Sequence, residues 1–174
     1  MSAETESQPT FYHYKLLKKV MLPKSLISSL IVLPFIWLAA EMFFISWTSL
    51  FYFLLAAPLT VWIQYVMSRS FLILTSPSYR KRWYFCRRLP WIGYMPDQHV
   101  AYSTYRRIYL NSAWIGCMII LILIPWSPIA FVLSLMFWHG WLIFPRFIVF
   151  AVLRGQRKDG MIKITNLDIS YYMQ

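Results

Sequence analysis

Three ionisable side chains stand inside stretches otherwise suited to hydrocarbon: Glu41, His139 and Arg146. Burying a charge in a bilayer is costly, so such residues mark either a working site or a special packing arrangement. Glu41 lies a few residues from a predicted outer turn, where its carboxylate is expected to reach water. Arg146 precedes Arg154 by eight residues, about 12 Å along a helix, and its long side chain is expected to snorkel to the inner interface. The two fall in opposite halves of the membrane and are not expected to pair. His139 sits near the middle of the last span, within Trp138, His139, Gly140 and Trp141. An imidazole at that depth suits a proton relay, a cofactor contact or a substrate contact. It suits equally well a hydrogen-bonded packing role, the commoner case, with Gly140 permitting close helix approach and Gln64 as its first candidate partner. Glu41, His139, Arg146 and Gln64 are therefore the intramembrane candidates.

Signatures of known chemistry do not accompany them. The chain has no phosphate-binding glycine loop, nucleophile elbow, HExxH or CxxC. Glu41, Asp97, Asp159 and Asp168 are scattered, whereas paired-carboxylate catalysis needs acids side by side. Cys86 and Cys117 fall on different sides of a predicted membrane boundary, so no disulfide is expected between them, and their spacing suggests no metal site. No catalytic residue, cofactor or metal ligand is assigned.

The elements that must position these groups follow from composition. Hydrophobic residues make up 59%, charged residues only 13%, against about 25% charged in soluble domains. Two apolar runs, residues 25–68 and 110–153, are each 44 residues long. About 20 apolar residues make one membrane helix, so each run holds two. The expected helices are 26–44, 50–67, 108–124 and 129–153, with turns at Ser46, Trp47, Thr48 and at Pro125, Trp126, Ser127, Pro128. Pro34 and Pro58 fall inside helices and are expected to kink them. The first run continues through two spans, so it is expected to be retained and not cleaved as a signal peptide. The fold class is an all-α membrane protein of four transmembrane helices in two hairpins, with cytoplasmic termini and a short β-like tail. The two runs repeat in length and hydropathy, without clear residue identity.

Charge sets the orientation. Sixteen of the seventeen lysines and arginines lie before the first run, between the runs or after the second, and neither outer turn carries one. By the positive-inside rule that side is cytoplasmic. The segment 69–109 carries a net charge of +7 and interleaves its cations with aromatic rings. Within it Arg80, Lys81, Arg82, Trp83, Arg87, Arg88, Trp91, Arg106 and Arg107 are expected to meet anionic lipid headgroups or a protein partner. Nucleic acid is not expected, because no nucleic-acid motif is present. Residues 1–24 read as a polar tail and an interfacial amphipathic helix over 11–22, with Leu16, Leu17, Val20 and Met21 opposite Lys15, Lys18 and Lys19. In residues 154–174 the alternation of Ile162 and Ile164, then Leu167, Ile169 and Tyr171, has a strand's period. Asn166 would turn the two pieces into a hairpin that docks on the central segment, a partner or the lipid surface.

These features point to a non-enzymatic, multi-pass protein of a bacterial cytoplasmic membrane. The expected role is a subunit or assembly factor of a larger membrane complex, docking through its basic face on a protein partner or on further copies of itself. One alternative is a small oligomeric transporter or channel using His139 and Glu41. A second is a lipid-modifying enzyme, for which Asp97 and His99 would have to matter.

Overall fold

The computed structural model describes residues 15–75, 83–156, 160–165 and 168–173. Four helices carry the fold: α1 (Lys24–Phe44), α2 (Ser49–Thr75), α3 (Tyr102–Leu123) and α4 (Ile129–Val152). Each is long and apolar enough to cross a membrane. A turn at residues 45–48 joins α1 to α2, and a 3-10 turn at Ile124–Trp126 leads from α3 towards α4. Pro34, Pro58 and Pro145 lie inside α1, α2 and α4. Helices α2 and α3 outrun the lengths expected from hydropathy, to Thr75 and from Tyr102. Hydropathy reports where hydrocarbon ends, whereas the helical ladder continues until a breaker stops it, and no Gly or Pro stands at 68–75 or 102–108.

Packing among the helices uses small and polar side chains. The buried face of α2 is a single stripe of Ser49, Phe53, Ala56, Thr60, Gln64, Ser68 and Leu72, mostly at four-residue spacing as one helix face requires. The matching stripe of α3 includes Ser112, Gly116 and Ile120. In lipid there is no hydrophobic gain from pressing leucines together, so close backbone approach over small residues supplies the contact.

Among the described residues, six short strands gather where α1 and α3 begin and α2 and α4 finish. They are β1 (Lys15–Met21), β2 (Trp83–Cys86), β3 (Gly93–Pro96), β4 (Val100–Ala101), β5 (Met161–Ile164) and β6 (Asp168–Met173). One antiparallel sheet runs β1-β6-β5-β4, and β2 pairs with β3. The larger of two cores lies at this end: Leu22, Leu72, Tyr102 and Leu153 from the four helix ends join Trp91, Ile162, Ile169 and Tyr171 from the strands. The C-terminal tail thus forms the expected pair of strands, packed on β4 of the central segment and on β1. The turn position Asn166 lies outside the described residues.

Residues 15–21 correct the sequence reading: the segment expected to be an interfacial helix is strand β1. Apolar residues at 16, 17, 20 and 21 fit a helix face, but a bulged strand also accommodates them, and β1 has an irregular register between Leu16 and Lys18. The decision comes from the far end of the chain. Strand β6 offers a full ladder, pairing Lys15 with Met173 through Met21 with Asp168, and a Lys19 to Asp168 ion pair at 3.2 Å fits that register. Lys18 donates to the carbonyl of Val152 at 2.8 Å, satisfying the exposed end of α4 with a cation. Residues 11–14 of the expected helix, and Tyr79–Arg82 of the central segment, lie outside the described residues.

Candidate functional site

Helix α4 carries the ionisable candidates His139 and Arg146, presenting them with Ser134 at three depths, all buried. Arg146 does not snorkel. Its Nη2 donates to the carbonyl of Ile92 at 2.6 Å, and its Nη1 donates to Gln64 Oε1 at 3.3 Å and to the Leu142 carbonyl. The ring of Tyr109 lies 4.9 Å from the guanidinium carbon, a cation over a π face. Arg146 Nε has no partner among the described residues. The sequence reading assumed that water would lie above Arg146. Instead the β2–β3 hairpin covers it, so the shortest route to satisfied donors is inward.

Glycine makes that covering possible. Gly93 begins β3 with φ at +118°, and a Cβ there would stand 2.6 Å from Arg146 Nη2. The same hairpin is tied on by the Tyr109 hydroxyl, which donates to the Tyr94 carbonyl, and by Trp91, whose indole donates to the Thr165 carbonyl at 3.0 Å. Trp83 stacks within ring-contact range of Tyr94 and Tyr109. Trp83 and Trp91 are therefore core residues, 7% and 3% exposed, a correction to their expected place on a lipid- or partner-binding surface. Indole is the largest apolar side chain, and here the hairpin folds back on the bundle and buries it. Arg87, Arg88, Arg106 and Arg107 are exposed, and Arg80, Lys81 and Arg82 lie outside the described residues.

From Arg146 the network continues through Gln64 to His139. Gln64 Oε1 accepts from Arg146, so its Nε2 must be the group 3.3 Å from His139 Nδ1. Nδ1 then accepts, and the proton of the neutral imidazole sits on Nε2, which donates to the Ala113 carbonyl at 3.1 Å. Each link assigns the next. Room for the ring comes from Gly116 of α3, where a Cβ would overlap the imidazole. Gly140, expected to be the close-approach glycine, has no atom within 4 Å of its Cβ position and instead lines a groove between α1 and α4.

The carboxylate forms a second, separate cluster. Glu41 is 4% exposed and does not reach water. Its Oε1 accepts from Trp37 Nε1 at 2.8 Å, and Oε2 lies 2.8 Å from the Ser134 hydroxyl. The turn expected to hydrate it leaves its side chain folded against α4. Ser134 and Arg146 are twelve residues apart on α4, about 18 Å, so Glu41 and Arg146 hold different levels of the bundle. The Trp141 indole, donating to the Leu30 carbonyl at 2.9 Å, is a further tie from α4 to α1. An apolar groove of about 910 Å³ runs along α1 and α4 past the Trp141 tie, from Trp37 to Pro23 on one side and from Leu133 to Phe144 on the other.

In the remaining candidate pair, Asp97 is exposed and His99 is half-buried with its ring 4.8 Å from that of Tyr172. Burial, with the Lys163 cation adding to it, holds the His99 pKa below its ordinary value. Among the described residues no three His, Cys, Asp or Glu side chains converge as a metal ion would need. The Gln64 to His139 contact was accessible to sequence reasoning through their depth in the spans. The Ile92 carbonyl and the Gly93 approach were not, because nothing in 83–96 announces a hairpin folding back on the bundle. Comparisons with protein families, with curated proteins and with solved structures find no match to this chain.

Proposed function

We propose that this chain is a non-catalytic subunit or assembly factor of a larger membrane complex, lying in a bacterial cytoplasmic membrane with its basic end inside. The observation that carries the reading is strand β1. It is an edge strand, with no partner on its outer side among the described residues, and it exposes Leu16, Leu17 and Met21 beside Lys15 and Lys19. An edge of unpaired backbone groups is a template for a strand from another chain. The lysines favour an acidic one. The buried networks support a structural role for the intramembrane polar groups. His139, Gln64 and Glu41 each spend their donors or acceptors on neighbouring side chains and carbonyls, an arrangement that locks helices together.

Photo-crosslinking from position 17 in intact membranes, followed by purification in mild detergent, tests this. The expected result is a discrete protein adduct that survives purification and disappears with Lys15→Glu, which leaves the Lys19 to Asp168 ion pair in place. A chain that crosslinks to no protein and runs alone as a monomer would overturn the proposal.

A further inference from the structure

We infer that the cleft between α3 and α4 at the basic end is a binding site for an anionic glycerophospholipid. The cleft has a volume of about 400 Å³, and its lining divides by depth. Leu110, Phe147, Phe150 and Ala151 form an apolar wall, while Arg106, Arg154, Tyr102 and Gln156 form the rim. Arg106 also borders an adjoining cavity of about 380 Å³, on the side of α3 that carries Arg107 and Asn111. Among the described residues, no acidic side chain lines either cavity. Arg106, Arg107 and Arg154 are exposed, and none of their guanidinium groups makes an ion pair among the described residues.

This combination selects its ligand. Guanidinium groups offer planar pairs of donors that match the two free oxygens of a phosphodiester. An apolar wall directly beneath them, continuing along two membrane-length helices, takes an acyl chain attached to that phosphate. A free phosphate uses the rim and leaves the wall unfilled, and a zwitterionic lipid uses the wall but carries its own cation against the arginines. Arg146 belongs to a different arrangement: its guanidinium is enclosed beneath the hairpin, whereas the rim arginines face outward. The inference rests on the membrane location and is independent of any protein docking on β1.

The test uses the full chain in nanodiscs of zwitterionic lipid alone or with one-fifth anionic phospholipid, and native mass spectrometry reads the lipids retained on release. Wild type is expected to keep anionic over zwitterionic lipid. At about fivefold for each cation near a headgroup, Arg106→Gln with Arg154→Gln should weaken that preference about 30-fold. Lys24→Gln with Lys163→Gln removes the same charge from exposed positions outside the cleft, and is expected to keep it. Ala151→Trp fills the apolar wall without changing charge and should reduce retention of lipid. Inorganic phosphate at millimolar concentration should not compete. Equal losses in the two double variants would mean a diffuse charge effect, and competition by phosphate would mean an anion site without a lipid; either overturns the inference. Should the cleft pair fail to fold, Arg154→Gln and Ala151→Trp singly decide the matter by the same readout.

Discussion

Helices α1 and α4 are similar in length and both apolar, yet they relate to the rest of the molecule in opposite ways. Both suit hydrocarbon: over its most apolar 18 residues the mean hydropathy is 2.0 in α1 and 1.6 in α4. Here α1 buries only Leu30 and Glu41 among 21 residues, whereas α4 buries nine of 24, including Ser134, His139 and Arg146. When lipid is the solvent, leucine gains little by leaving it, while a polar group left in it loses its hydrogen bonds. Buried polar residues therefore mark the packed face, and α1, which buries only Glu41 of its polar side chains, is held by a few isolated bonds.

The contrast is broken most severely at Arg146. Arg146→Leu leaves the Ile92 carbonyl and Gln64 Oε1 without their donor, at about 1–3 kcal/mol for each buried group. We expect about 3 kcal/mol lower stability to unfolding in detergent, with faster amide hydrogen exchange in residues 91–95. If instead the leucine stabilised the chain, polar content would not be what fastens α4. Next in size is Gly116→Ala, whose methyl overlaps the His139 ring and should cost about 2 kcal/mol. In a double-mutant cycle with His139→Ala much of that loss should vanish, since the clash needs both side chains; additive losses would count against the contact. The smallest effects belong to α1. Glu41→Ala removes the acceptor of Trp37 and Ser134 and should cost about 1 kcal/mol, while Ile36→Ala, 61% exposed, should stay within about 0.5 kcal/mol. Thermal unfolding of the two variants side by side measures the difference, and equal losses would dissolve the distinction between the helices.

The four long helices were legible because hydropathy over some 20 residues is a strong, local signal. The two strands of the C-terminal tail were legible for the same reason, since alternation at Ile162 and Ile164 is local too. What the sequence hid was pairing at a distance. Strand β1 takes its conformation from β6, near the opposite end of the chain, and no window around Lys15–Met21 contains that information. Arg146 was misplaced on similar grounds. Snorkelling is the right expectation for an arginine below open water, and the hairpin that closes the water off comes from residues 83–96. Gln64 and His139 could be linked from sequence because both are polar groups at similar depth. Gly116 was the available clue to where the imidazole fits, overlooked in favour of Gly140 beside the histidine itself.

The antiparallel pairing of β1 with β6 also sets an order of events during synthesis. A ribosome makes residues 15–21 before the four long helices and residues 168–173 only after them. Throughout that interval the lysine-rich segment has no ladder to join, and it is available to chaperones, to lipid or to its own helical propensity. The clasp closes last, so a chain stalled anywhere before residue 168 would display this early segment unclasped, a readable mark of incomplete manufacture.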